Sequence, residues 1–309
     1  MKYAVMGVGG VGGYFGARLA ADGNEVAFIA RGAHRKAMEA DGLTVLSANG
    51  DIRLDKPWVS DDMAEIGFCD YVLFCVKLWD VDAAAEQIRP LVARDTAVLP
   101  FQNGVTVEDR LSEILAPGNV MGATAQIAAA IERPGVIRHS GTMARIVFGE
   151  RDGSRSWRQD ALLAACEGAG IEAKASAEID KDIWRKFVFL APMAGATCFY
   201  RAPIGPILAD PERRARLAAM IAEAVAVGRA KGILLAPDTA ERTLGFMDDL
   251  PGDMKTSMLG DLEHGRRLEL EWLNGEIVRL GRELGVATPE NAAVTEALLP
   301  YATGGGSGA

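Results

Sequence analysis

Lys186 lies in the stretch KDIWRKFVFLAPMAGATCFY, residues 181–200, and no further charge follows it until Arg201. Successive residues of a helix turn by about 100°, so positions 186, 190 and 194 share a face. Here that face reads Lys186, Leu190, Ala194. An unperturbed lysine, with a pKa of about 10.4, is a reluctant acid at neutral pH, and a low-dielectric surround disfavours its charged form. An ammonium looking along an apolar wall is thereby suited to handing a proton to a reacting oxygen. The same residues also fit a stem packed on hydrophobic surface with its head in water. The stretch alone leaves both readings open.

A second set of residues suits a phosphate. The run VMGVGGVGGYFGARLA carries G-x-G-x-x-G at Gly7, Gly9 and Gly12, with Gly10 and Val11 inside the turn and Gly13 and Gly16 beyond it. A β-type run, KYAVM, precedes it, an alanine-rich helical pattern follows, and another strand arrives by Glu25. In that setting the first glycine makes the tight turn, the second lets a pyrophosphate approach the backbone, and the third packs helix on strand. The helix N-terminus adds N–H donors and positive potential.

The choice of dinucleotide falls at the end of the second strand, where an NAD site carries a carboxylate for the ribose 2′-hydroxyl. The segment EVAFIARGAHRK has Arg31 there, with Arg35 and Lys36 behind it. A guanidinium holds a 2′-phosphate bidentately, so NADPH is the expected cofactor. A solvated basic first turn of the next helix accounts for Arg35 and Lys36 better than for Arg31. Lys77 in FCVKLW and Asn103 in PFQNGV close two further strands, at the carboxyl ends where ligands of open parallel sheets sit. Their plainer readings are a soluble closing charge and an Asn-Gly turn.

The elements that must hold these residues change character along the chain. KYAVMG, EVAFIAR, DYVLFCVK and TAVLPFQNG read as buried strands, with helical patterns at 10–22, 32–40, 79–92 and 105–114. That alternation is the βαβ rhythm of a parallel sheet with helices on its faces. From 119 to 149 the β-prone runs are punctuated by Pro-Gly and Ser-Gly, which suggests antiparallel strands added to the sheet. A helix in SRSWRQDALLAACEGAG and a strand in IEAKAS follow. Beyond Ala175 only helical patterns remain, at 178–200, 208–232, 236–249, 255–264 and 267–285. The expectation is a Rossmann-type α/β domain over 1–175, an all-helical substrate and catalytic domain over 176–303, and a flexible glycine-rich tail over 304–309.

Composition narrows the partners. At 49% hydrophobic and 24% charged, the 309 residues are those of a soluble globular protein of about two domains. A net charge of −9 disfavours nucleic acid and anionic membrane. The longest apolar stretch, 187–200, contains Pro192 and Gly195 and is shorter than the roughly 18 residues a span needs. A first strand beginning at Lys2 leaves no room for a secretory signal, so a cytoplasmic location is expected. Cys69, Cys75, Cys166 and Cys198 form no C-x-x-C pair, which argues against a zinc site or a disulfide framework. The expected partner is a small molecule, with a homodimer compatible.

Taken in order, GVGGVGGYFGARLA, ARG after the second strand, VKLWDV, QNGV, PGVIRHSG, WRKF, TSMLGDLEHGR, ELEWLNGEIVRLG and TPEN span essentially the whole chain. In this the chain resembles the ketopantoate reductase (2-dehydropantoate 2-reductase) family. The resemblance implies NADPH-dependent reduction of a 2-keto acid, hydride passing to the keto carbon. It assigns the catalytic lysine of the W-x-K motif to Lys186, the acidic partner to Glu269, the substrate-binding serine to Ser257, the asparagine near lysine and nicotinamide to Asn103, and a strand-end lysine to Lys77. Charge develops on the carbonyl oxygen as hydride arrives, so an ammonium there both stabilises it and supplies the proton. Glu269 favours the cation and thus opposes the apolar surround; orienting Lys186 or binding a substrate hydroxyl are its other roles, and a surface glutamate on a charged helix is its plain reading.

The chain departs from the family's pattern at two places. Asparagines expected four and eight residues after the lysine are Leu190 and Ala194. An apolar wall favours methyl or methylene groups where amides would have bonded polar ones. Polar contacts from elsewhere, a less polar 2-keto acid than ketopantoate, and a paralogue without activity are three readings of this change. A catalytically silent NADPH-binding sensor is a further alternative from another class.

Overall fold

Short apolar runs and helical patterns alternate through the first part of the chain in the computed structural model, which describes residues 1–305. Strands β1 (Lys2–Met6) and β2 (Glu25–Ile29) flank helix α1 (Gly10–Ala21), and α2 (Gly32–Asp41) follows. Then come β3 (Leu43–Leu46), β4 (Ile52–Leu54), β5 (Trp58–Val59), α3 (Met63–Ile66), β6 (Tyr71–Phe74), α4 (Val81–Gln87), β7 (Ala97–Pro100) and α5 (Val107–Ile114). Five of these strands form a parallel sheet in the order β5-β2-β1-β6-β7. Its central strands β2, β1 and β6 are buried along nearly their whole length, as a helix-covered parallel sheet requires.

The β-rich stretch after residue 119 is antiparallel, as its punctuation suggests, and it builds a sheet of its own. Strand β8 (Gly122–Arg133) pairs antiparallel with β9 (Val136–Gly149). β9 also pairs in parallel with β3 and with β10 (Glu172–Ala175), which follows α6 (Trp157–Gly168). The β3–β4 hairpin completes the second sheet. It escapes the βαβ reading although Asn49-Gly50 between two alternating runs is a strong hairpin signal.

Helices follow from α7 (Ile179–Tyr200) onward: α8 (Ile204–Leu208), α9 (Pro211–Ala230), α10 (Thr239–Asp248), α11 (Ser257–Glu263), α12 (Asn274–Leu284) and α13 (Pro289–Leu298). Two expected long helices are broken for local reasons. The 208–232 pattern divides at Asp210, whose carboxylate accepts the N–H groups of Glu212 (3.0 Å) and Arg213 (3.1 Å) ahead of Pro211. The 267–285 pattern opens as a 3₁₀ turn, Leu270–Trp272, before α12 begins. Contacts divide the chain into two compact units, Met1–Gln102 with Thr106–Asp182, and Asn103–Val105 with the chain from Ile183 onward. The division runs inside the first turns of α7 and assigns the loop after β7 to the helical unit. At the end of the chain Gly305 N–H donates to Gly265 O at 3.0 Å; residues 306–309 of the expected tail lie outside the described residues.

Within the first unit, Glu108 on α5 is 5% exposed. Burial raises its carboxyl to about 8, while the Arg151 guanidinium pulls the other way. Arg151 is itself engaged by Asp109 at 2.8 Å and by Asp180 at 3.3 Å. A carboxyl whose folded-state pKa exceeds its ordinary 4.5 keeps in the fold a proton that the unfolded chain has released, so stability falls as pH rises across that window. Glu108→Gln removes this dependence. Its melting temperature is expected to exceed the parent's by a margin that widens from pH 5 to pH 9, and a constant margin in thermal unfolding contradicts the assignment.

Candidate functional site

The glycine turn after β1 divides by function. Gly7 has φ +95°, and a Cβ there would stand 2.9 Å from the Cys75 carbonyl and the Val76 nitrogen. A Cβ on Gly12 would run into the Gly7 carbonyl oxygen, and one on Gly16 would meet Val5 and Phe28 at 2.7 and 2.8 Å. These glycines let helix, turn and sheet close on one another. Gly9 differs: its backbone is extended, it caps α1, and a Cβ there would meet nothing within 4 Å. That open ground at a helix N-terminus fits a pyrophosphate. Gly10 backs onto the Ala129 carbonyl of β8, and beside it Ala128–Ala130 with Glu132, Arg138 and Ser140 line a shallow cleft of about 370 Å³. Sequence reasoning expects a strand here but assigns it no part in a site, because its small residues carry no chemical motif.

Arg31 follows β2 as the cap residue of α2 and is exposed, its Nη2 donating to the neutral Gln87 Oε1 at 3.3 Å. Arg35 is held by Glu39 (2.7 Å) and Asp61. Val11 and Lys36 lie on the same two helices, half-buried and exposed respectively. The glycine turn thus leaves room for a dinucleotide's pyrophosphate, and an exposed guanidinium stands just beyond the second strand. Lys77 is exposed, with Nζ 5.5 Å from the Trp79 ring centre. Gln102, which the motif reading passed over, donates from Nε2 to the carbonyls of Phe74 (3.1 Å) and Val76 (3.0 Å), tying the ends of β6 and β7.

In the helical unit, α7 runs unbroken through Pro192 and Gly195. Ile183, Trp184, Phe187, Val188 and Ala191 bury one side, and the face of Lys186 is half-buried at Lys186, Phe189 and Leu190. Further along, Met193 (2% exposed), Ala194 (1%) and Thr197 (0%) are closed over by protein. Ala194 is thus interior, and the open part of the wall ends at Leu190. The helix is pinned twice. Thr197 Oγ1 donates to the Met193 carbonyl at 2.8 Å and lies 2.9 Å from Thr256 Oγ1, the cap of α11. At Gly195 a Cβ would strike the Asn274 side chain; Asn274 donates from Nδ2 to Asn291 Oδ1 (3.0 Å), and Asn291 donates to Glu223 Oε2 (2.7 Å).

Glu269 departs from its surface reading. It precedes the 3₁₀ turn rather than lying within a helix, and it is 7% exposed between Leu268 and Leu270. Asn103 Nδ2 donates to its Oε2 at 3.4 Å, so two of the expected site residues meet. Ser257 opens α11 directly after the Thr256 cap and is exposed.

A parallel-sheet dinucleotide-type unit joined to a helical unit defines the architectural class. The family model for ketopantoate reductase PanE/ApbA matches residues 3–153, and that for its C-terminal part matches residues 178–302. The chain belongs to this family, and is an oxidoreductase of the ketopantoate reductase type. It is 33% identical to the uncharacterised oxidoreductase YkpB of Bacillus subtilis, over 94% of this chain and 95% of that one. Identity to the 2-dehydropantoate 2-reductase of Mesorhizobium japonicum is 32%, over 95% of each. The solved structure of a PanE/ApbA family ketopantoate reductase from Ralstonia eutropha superposes with a TM-score of 0.89 at 32% identity, covering 97% of this chain and 98% of that one.

The two kinds of glycine make a paired prediction. Gly12→Ala is expected to destabilise by about 1–3 kcal/mol through overpacking. Gly9→Ala should keep a melting temperature within about 2 °C while weakening NADPH at least tenfold in a titration. Undiminished affinity in Gly9→Ala would remove the turn from the phosphate site.

Proposed function

We propose that this chain reduces the keto carbon of a 2-keto acid to the 2-hydroxy acid using NADPH, with 2-dehydropantoate to pantoate as the first candidate reaction. The observation that carries the reading is the half-buried Lys186, at the open end of an apolar face, in the same unit as a buried Glu269 that accepts from Asn103. When bound, the nicotinamide supplies hydride to the substrate carbon. Lys186 then serves as general acid: its ammonium stabilises the charge developing on the carbonyl oxygen and delivers the proton. Glu269, held by Asn103, orients Lys186 or receives a substrate hydroxyl. Ser257 is assigned to the substrate and Lys77 to the cofactor. The glycine turn takes the pyrophosphate, and Arg31 takes the 2′-phosphate as a bidentate partner.

Leu190 favours a second reading, a less polar 2-keto acid, because an asparagine in its place would have offered an amide to the substrate. A silent NADPH-binding protein would need the glycines but neither Lys186 nor Glu269. No helix among the described residues is long and apolar enough to cross a membrane, and a cytoplasmic site of action belongs to the reading.

Two experiments test it. Lys186→Ala is expected to lower kcat by roughly 10²–10⁴, the usual share of general acid catalysis, with NADPH affinity retained; equal turnover in parent and variant would exclude the mechanism. Arg31→Asp should weaken NADPH far more than NADH, and an unchanged preference would show that another group selects the cofactor.

A further inference from the structure

The open part of the lysine's helix face is aromatic as well as apolar. Residues three and four positions on from a helical residue flank it on one face, which places Phe189 and Leu190 beside Lys186. All three are half-buried, and the face closes immediately afterwards at Met193 and Ala194. Phe246 of α10 meets this edge. Its ring stands edge-on to Phe189, 5.6 Å between centres at an interplanar angle of 66°. Phe246 is nonetheless 53% exposed, whereas its neighbour Met247 is fully buried and anchors α10. An exposed aromatic ring held in place by a second ring is a prepared apolar surface.

Between Lys186 and the closed end of the face every side chain in line, Phe189, Leu190, Met193 and Ala194, lacks a polar group. A substrate hydroxyl laid there finds no hydrogen-bond partner on that face, and an unpaired hydroxyl in an apolar setting is penalised. A flat or branched hydrocarbon group gains contact instead.

We infer that Phe189 and Phe246 select the substrate's side chain, favouring 2-keto acids that carry an aromatic or branched apolar group over ketopantoate with its hydroxymethyl. This rests on the proposed reduction of a 2-keto acid and names the substrate class within it. The Lys186 ammonium addresses the keto oxygen, and the two rings receive the group on the far side of the keto carbon.

The test follows NADPH oxidation by the full chain with pyruvate, 2-ketoisovalerate, phenylpyruvate and ketopantoate. The parent is expected to show its highest kcat/KM with phenylpyruvate or 2-ketoisovalerate. In Phe246→Ala the ratio of kcat/KM for phenylpyruvate to that for pyruvate should fall at least tenfold, a size typical of lost apolar contact in a pocket. Phe246→Asn, which offers an amide at an exposed position, should shift preference toward ketopantoate and gives a second reading if the alanine variant fails to fold. Turnover of 2-keto acids with ratios unmoved by either variant, or with ketopantoate foremost in the parent, overturns the inference while leaving the proposed reaction standing. Absence of turnover with all four overturns the reaction and the inference together.

Discussion

A carboxyl group buried to 7% exposure between two leucines, that of Glu269, is the constraint to which the rest of the helical unit answers. Such a group is costly to bury without polar partners. Asn103 supplies one donor at 3.4 Å, the long end of hydrogen-bond range, and this ties the loop after β7 to the turn before α12. The short 3₁₀ turn that interrupts the expected helix lets Glu269 point inward, since a helix continuing back from Asn274 would direct residue 269 differently.

The second constraint is the continuity of α7. Proline removes the N–H that the Val188 carbonyl would accept, yet the helix continues for two further turns. Tertiary contacts supply what the backbone loses. Trp184 packs where Gly228 of α9 leaves room, Thr197 bonds across to the cap of α11, and Asn274 lies against Gly195. The Asn274 amide is oriented by relay: the Glu223 carboxylate only accepts, so Asn291 presents its nitrogen there and its oxygen to Asn274. The lysine's helix is thereby held against α9, the cap of α11 and the start of α12.

Much of this was legible in the residues. Strand–glycine–helix order located the tight turn after β1, and Gly7 and Gly12 meet in the fold the steric demands that sequence context reveals. The apolar setting of a half-buried Lys186 was legible from the charge-free run behind it. What escaped was tertiary. Ala194 looked like part of an accessible wall because helical periodicity says which residues share a face and is silent on where a neighbouring element covers it. Glu269 was singled out by the family resemblance alone: its plain reading was a surface charge, because a stretch rich in Glu and Arg does not reveal the three-residue turn that follows it or its burial. Phe246 carried no signal at all, since its partner Phe189 lies on another helix. The β8–β9 ribbon was recognised as antiparallel, but its membership in a separate sheet depends on pairing with β3, a strand hidden in a stretch read as connection.

The most direct measurement of the central claim is a double-mutant cycle on log kcat/KM with Asn103→Ala, Glu269→Ala and the pair. Residues that act through one another are non-additive by about 0.5–3 kcal/mol. The account predicts coupling of about 1 kcal/mol or more, so that the double variant is little worse than Glu269→Ala alone. Strict additivity of the two substitutions would contradict it, showing that the buried carboxyl and the loop asparagine contribute separately.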